Sequence, residues 1–208
     1  MVSCQARADN PLHGHMVAMA RAAVAGGAGG IRANGAADAA AIRAAVEVPV
    51  IGLLKRFDPG FPVYITPGFA DAAALGAEIV ATDATARARD GEAAAVLIGR
   101  IRAELGSEVL ADVATMDEAL AAQRAGATYI ATTLAGYTDG RACTEGPDFA
   151  LLAELIAACR VPVVAEGRFE TPAQVARAFA MGAHAVVVGT AITNPREITR
   201  RFVAACAP

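Results

Sequence analysis

A helical stretch that stops at Gly-Ala and hands over to an apolar, β-branched run recurs along this chain. It appears as "LGAEIVATD" (75–83), "AGATYIATT" (125–133) and "MGAHAVVVGT" (181–190). A second form opens the apolar run with Val-Pro-Val, in "VEVPVIGLLK" (46–55) and "CRVPVVAEG" (159–167). Both read as turns from helix to strand, because glycine accepts the left-handed conformation that ends a helix and proline is tolerated at the first position of a strand. Strands placed by this rule fall near 2–5, 29–33, 49–55, 79–83, 109–113, 129–134, 162–166 and 185–189. Alanine-rich segments with helical spacing separate them, among them "DAAAIRAAV", "EAAAVLIGRIRAELG" and "PDFALLAELIAAC". Strict alternation of strand and helix implies parallel pairing, and near-continuous apolar strands imply that both sheet faces are covered. Eight units of roughly 25 residues predict an α/β fold of the (β/α)8 TIM barrel type, at the small end of its range, as one domain spanning 1–208. The alternative is an open doubly wound sheet. No GxGxxG follows the first strand to support it, and "GGAGGIRA" precedes a strand, so its glycines read as a helix stop.

Composition narrows the partners. Hydrophobic residues make up 55% of the chain, enough for a substantial core. The net charge is −3, and no cluster of basic residues resembles a nucleic-acid footprint. The apolar run "MVAMARAAVAGGAGG" is interrupted by Arg21 and falls short of a membrane span of about 18 residues or more. No basic region followed by an apolar segment opens the chain, and the four cysteines are widely spaced with no CxxC. Together these predict a cytoplasmic protein with reduced thiols and neither nucleic acid nor membrane as partner.

In a barrel of this kind the active site forms where strands end and the following loops begin. The polar residues at those ends are Gln5, Arg32, Lys55, Asp83, Asp112, Thr132, Thr133, Glu166 and the "GTA" of 189–191, and five of the eight strands end in a charge. Lys55 stands out: of the 18 basic side chains it is the one lysine, and the other 17 are arginine. A lysine crowded by Arg32 or Arg56 and partly desolvated has a lowered pKa and becomes usable as a base. Glu166 lies across the mouth, with Asp112 placed to orient either group, and two proton-transfer groups on opposite faces suit epimerisation next to a carbonyl. The competing reading makes Lys55 a salt-bridge partner of Glu166 or Asp112. Two glycine-bearing turns, "AEGRFETP" and "VVGTAITNP", follow strands 7 and 8, where barrels of this type bind phosphate through backbone amides, although small-residue turns also occur without phosphate. His13, His15 and His184 form no metal-ligand set, so neither metal nor cofactor is expected. The long segment "AGYTDGRACTEGPD" reads as a lid carrying Tyr137, or as a passive surface loop.

These motifs are recognisable as a set. "VSCQA", "GGxxGIRAN", "PVIGLLKR", "VYITP", "ATDAT", "ADVAT", "TTLAGYT", "EGPDF", "VPVVAEGR" and "VVVGTAIT", in this order from residue 2 to about 203, resemble the N-acetylmannosamine-6-phosphate 2-epimerase family. The resemblance implies interconversion of N-acetylmannosamine 6-phosphate and N-acetylglucosamine 6-phosphate in sialic acid catabolism, with no nucleotide and no obligatory metal, by a homodimer. It implies Lys55 and Glu166 as the catalytic pair and Gln5, Arg32 and Asp112 as residues that hold the amino sugar phosphate. Thr133 and Tyr137 are further candidates for that role. Gly167 with Arg168, and Gly189 with Thr190, match the phosphate site. The proton-transfer role calls for a primary amine, since an arginine, which supplies the other 17 Lys/Arg side chains of this chain, cannot give up its proton. Many members read Thr-Arg-Pro where this chain has Thr193-Asn194-Pro195; Arg196 is the nearest arginine to take over. An aldolase-type barrel with a Schiff-base lysine and a non-catalytic sugar-phosphate sensor are the alternatives.

Overall fold

Residues 1–206 are described by a computed structural model. All eight expected strands form: β1 (Val2–Cys4), β2 (Ile31–Asn34), β3 (Val50–Leu53), β4 (Ile79–Asp83), β5 (Glu108–Asp112), β6 (Tyr129–Ala131), β7 (Val163–Glu166) and β8 (Ala185–Val187). They pair in sequence order, each parallel to the next. A parallel bridge from Val2 to Val188 completes the ring, with the Ser3 amide donating to the Val188 carbonyl at 2.9 Å. The open doubly wound sheet is thereby excluded.

The two-residue period of each strand divides the core into two layers. Ile51, Leu53, Ala81, Leu110, Ala131, Val164 and Val187 fill the barrel interior. Their neighbours Val50, Val80, Val109, Ala111, Val163 and Val186 meet the helices. Alanines on the inner helix faces, such as Ala20, Ala39, Ala119 and Ala178, are fully buried, so the helices sit close against the sheet without large side chains between them. The helices themselves start on local signals. Thr115 caps the helix Met116–Arg124 in a reciprocal box with Glu118, and Thr171 caps the helix Pro172–Ala180 in one with Gln174. Among the described residues no helix is long and apolar enough to cross a membrane.

The Gly-Ala turns are confirmed as helix stops: Gly126 and Gly182 have φ of 99° and 102°. A side chain is strained there even where space exists, as at Gly182. Gly182→Ala is therefore expected to lower stability by about 1–2 kcal/mol, read as a reduced urea midpoint with an unchanged slope.

Strand ends differ from the expectation, and the reason bears on the site. Strand 3 stops at Leu53, two residues before Lys55, and strand 6 passes at Thr132 into a 3-10 turn (Thr132–Leu134). Beyond β3 the chain folds into a small antiparallel corner, with Lys55 bridged to Ile65. The Arg56 amide donates to the Tyr64 carbonyl (3.0 Å) and the Thr66 amide to the Leu54 carbonyl (2.7 Å). Thr66 holds φ at 43°, a left-handed value that a β-branched residue adopts only under constraint from its surroundings.

Candidate active site

Inward-facing positions at the strand ends carry the charges. Arg32 lies between Ile31 and Ala33, which face the helices, and so projects into the barrel, where it is fully buried. Asp112 and Glu166 end β5 and β7 two residues after the inward-facing Leu110 and Val164. The three meet. Arg32 donates through Nη2 to Asp112 Oδ2 at 2.5 Å and through Nη1 to Glu166 Oε2 and to the Thr133 hydroxyl, the latter at 3.1 Å. Thr133 in turn donates to Asp112 Oδ1 at 2.5 Å. Thr132 locks the backbone behind Glu166, accepting from its amide (2.9 Å) and donating to its carbonyl (2.8 Å). One guanidinium thus holds two carboxylates on neighbouring parts of the mouth. Burial pushes the Asp112 carboxyl up to about 6, against the pull of Arg32, while, against the effect of burial, Asp112 and Glu166 raise the Arg32 guanidinium above its ordinary value.

Lys55 is positioned through its backbone. Its amide donates to Asn34 Oδ1 at 2.8 Å, which explains why the polar Asn34 ends β2, and the corner at Ile65 fixes the following turn. Among the described residues its amine makes no ion pair. The salt-bridge reading is corrected on this point, since the Glu166 carboxylate belongs to Arg32 and Thr133 instead. Although the residue is exposed overall, burial and then Arg32 pull the ammonium below the ordinary lysine value, against Glu166 and Asp112. Arg7 adds to the depression. Arg56 does not share in it, because its guanidinium is turned to Asp58 and Asp71 at 2.5 and 3.1 Å.

A cavity of 520 Å³ opens over this cluster. Gln5, Arg32, Lys55, Thr133, Tyr137, Glu166, Gly167, Arg168, Gly189 and Thr190 all line it, so ten of the eleven expected site residues are brought together. Asp112 lies beneath, with no exposed surface, and reaches the cavity through Arg32 and Thr133. Gln5 Nε2 donates to the Ser3 hydroxyl at 2.8 Å, leaving its buried Oε1 without a protein donor. Asp83, expected among the converging charges, is diverted: Arg87 at 2.6 Å and Thr85 hold it away from the cavity. Arg168 lines the cavity, but its three guanidinium nitrogens donate to Ala135 and Gly146 carbonyls and the Thr144 hydroxyl at 2.8–3.0 Å, and it stacks on Tyr137. That side chain fastens the 135–148 segment to the mouth, and Tyr137 remains 54% exposed at the edge. Arg196 does not line the cavity; it lies 3.8 Å from Asp9.

Sequence reasoning missed Ser3, Tyr64, Glu170 and Arg201, which also line the cavity, as does Asn194 at the position where many members of the resembled family carry an arginine. The inward period of β1 would have found Ser3, two residues before Gln5. Tyr64 and Arg201 gave no signal, since one returns on the corner after β3 and the other comes from the C-terminal helix.

The arrangement can move a proton on and off a carbon held between an amine and a carboxylate, with glycine turns at one end of the cavity for an anionic group. Chains of known description are similar to this one over nearly its whole length. The family model described as "Putative N-acetylmannosamine-6-phosphate epimerase" matches residues 16–207. A protein of that description, as a 2-epimerase, from Thermosynechococcus vestitus is 49% identical over 210 residues, 99% of this chain and 92% of the relative. Its counterpart from an Enterobacter species is 47% identical over 215 residues, covering 99% and 91%. The solved N-acetylmannosamine-6-phosphate 2-epimerase from Clostridium perfringens superposes with a TM-score of 0.94 at 40% identity, over 98% of this chain and 91% of that one. With its barrel, its motif order and these relatives in agreement, this chain belongs to the N-acetylmannosamine-6-phosphate 2-epimerase family.

Proposed function

We propose that this protein is an isomerase that interconverts N-acetylmannosamine 6-phosphate and N-acetylglucosamine 6-phosphate by proton transfer at C2. The observation that carries the reading is the pairing of an uncommitted amine with an oriented carboxylate. Lys55 makes no ion pair among the described residues and has its pKa lowered, while Arg32 and Thr133 fix the Glu166 carboxylate in the same cavity. The sugar enters as its open-chain aldehyde, in which the C2 proton is acidified by the C1 carbonyl. Lys55 and Glu166 act on C2 from opposite faces: one takes that proton, leaving a planar enolate, and the other returns a proton to the far face. In the reverse direction the two exchange roles. Gln5, Arg32, Thr133 and Tyr137 contact the sugar, Asp112 acts through Arg32 and Thr133, and Gly167, Arg168, Gly189 and Thr190 surround the phosphate. The Gln5 Oε1 atom offers an acceptor for a sugar hydroxyl or the acetamido N–H.

The wider reading follows from the substrate. We place the reaction in the breakdown of sialic acid and amino sugars, in the cytoplasm, with the whole chain as one barrel domain acting as a homodimer. Proton NMR of N-acetylmannosamine 6-phosphate with the protein in heavy water tests the core claim. The expected result is loss of the C2 proton signal together with the appearance of the second epimer. A static spectrum at stoichiometric protein would remove the reading. Trapping of a borohydride-stable adduct on Lys55 would replace it with Schiff-base chemistry.

A further inference from the structure

A phosphate monoester carries a charge of about −1.5 to −2 near neutral pH, and backbone amides alone do not balance it. The short helix behind Gly189, Thr190–Thr193, is a single turn, too short to develop much of a macrodipole. A side-chain cation at this end of the cavity would complete the charge balance.

Four cations line the cavity, and three are placed for other roles. Arg32 is engaged by Asp112, Glu166 and Thr133. Lys55 rises from the β3 side and, in the reading above, handles the C2 proton. Arg168 has each of its nitrogens on the 135–146 segment. Arg201 is the fourth. It comes from the C-terminal helix (Pro195–Ala204), where its Nη2 lies 2.7 Å from Glu170 Oε1. Glu170 follows the Gly167 turn by three residues and lines the same cavity, so the ion pair sets the guanidinium beside that turn. Among the described residues, the Nη1 and Nε atoms of Arg201 have no protein acceptor. The side chain is 42% exposed and therefore free to adjust toward an anion.

We propose that Arg201 is the phosphate-binding cation of this cavity, with Glu170 as the residue that positions it. This rests on the sugar-phosphate reading of the site. Charge-assisted hydrogen bonds to a partly exposed phosphate predict a loss of roughly tenfold to a hundredfold in affinity when the guanidinium is removed.

The test uses the full chain with Arg201→Gln and Arg201→Lys. Arg200→Gln serves as the control, because Arg200 lies on the same helix but contacts only Glu197. For Arg201→Gln the expected result is a KM for N-acetylmannosamine 6-phosphate raised at least tenfold, kcat within about threefold of wild type, and competitive inhibition by inorganic phosphate weakened in parallel. Arg201→Lys recovers part of the loss and Arg200→Gln changes neither. A KM and a phosphate inhibition constant both within twofold of wild type in Arg201→Gln would overturn the proposal. Calorimetric binding of the same sugar phosphate separates this failure from that of the proposed reaction. If the wild type binds without turnover, the epimerase reading falls while weakened binding in Arg201→Gln still supports the cation. If the wild type binds no phosphate compound, both fall.

Discussion

Lys55→Arg is expected to abolish C2 proton exchange while leaving the barrel and most of the ligand binding in place. The substitution keeps the positive charge and nearly the length, so any electrostatic hold on the sugar survives. The hydrogen bond that the Lys55 backbone N–H donates to Asn34 Oδ1 and the bridge to Ile65 do not involve the Lys55 side chain and survive as well. What disappears is a nitrogen that cycles its proton near neutral pH. Burial and Arg32 lower the lysine pKa, which raises the neutral fraction; no comparable depression brings a guanidinium with a pKa above about 12 into range. Proton transfer by a positioned side chain contributes on the order of 10²–10⁴-fold in rate, so exchange followed by NMR should fall by at least a hundredfold. Exchange within tenfold of wild type would show that Lys55 supplies only charge. A second readout separates base from binding group: KM for the sugar phosphate should move by less than about fivefold while kcat collapses.

The sequence made the barrel readable because each level of the chain repeats one message. Gly-Ala stops, Val-Pro-Val openings and apolar strands recur at near-constant spacing, and the positive φ of Gly126 and Gly182 is the physical form of the first of these. The strand-end rule likewise led to Arg32, Lys55 and Glu166, since a two-residue period leaves no freedom in where an inward side chain points. It misplaced Asp83, because nothing in "ATDATARAR" says that Arg87 and Arg89 fold back to claim that carboxylate. Nor does the sequence say that Arg168, which lines the cavity, also ties down the 135–148 loop: a guanidinium is long enough to choose among partners, and here that loop supplies three acceptors. The rule did not reach Tyr64 or Arg201, whose roles depend on where a corner and a terminal helix come to rest. Backbone periodicity is local information, whereas the choice of partner by a long charged side chain is tertiary.

Arg32→Met should be the most destabilising single change at the site, and its cost should depend on pH. The side chain is replaced by one of similar length, so the cavity left is small. What remains is a pair of carboxylates, Asp112 with no solvent exposure and Glu166 with its side chain 14% exposed, without the guanidinium that joined them. Removing one partner of a buried ion pair costs about 3–5 kcal/mol. The sign of the pH dependence follows from Asp112. Its folded pKa is already raised, to about 6, by burial and by Glu166 despite Arg32. For a carboxyl whose folded pKa exceeds the unfolded value, the folded state holds the proton longer, so stability falls as pH rises through that window. Taking Arg32 away removes the strongest attraction holding the value down, leaving only the Thr133 hydrogen bond, and extends the window upward. The variant should therefore lose most at pH 8, where both carboxylates must ionise face to face, and regain part of the loss at pH 5, where Asp112 keeps its proton. Urea unfolding of wild type and variant at the two pH values measures this directly. A loss that is the same at both would mean that Arg32 contributes shape rather than charge. A loss below about 1 kcal/mol would mean that the two carboxylates find water or other partners once the guanidinium is gone, and that the Asp112–Arg32–Glu166 cluster is not what holds the mouth together.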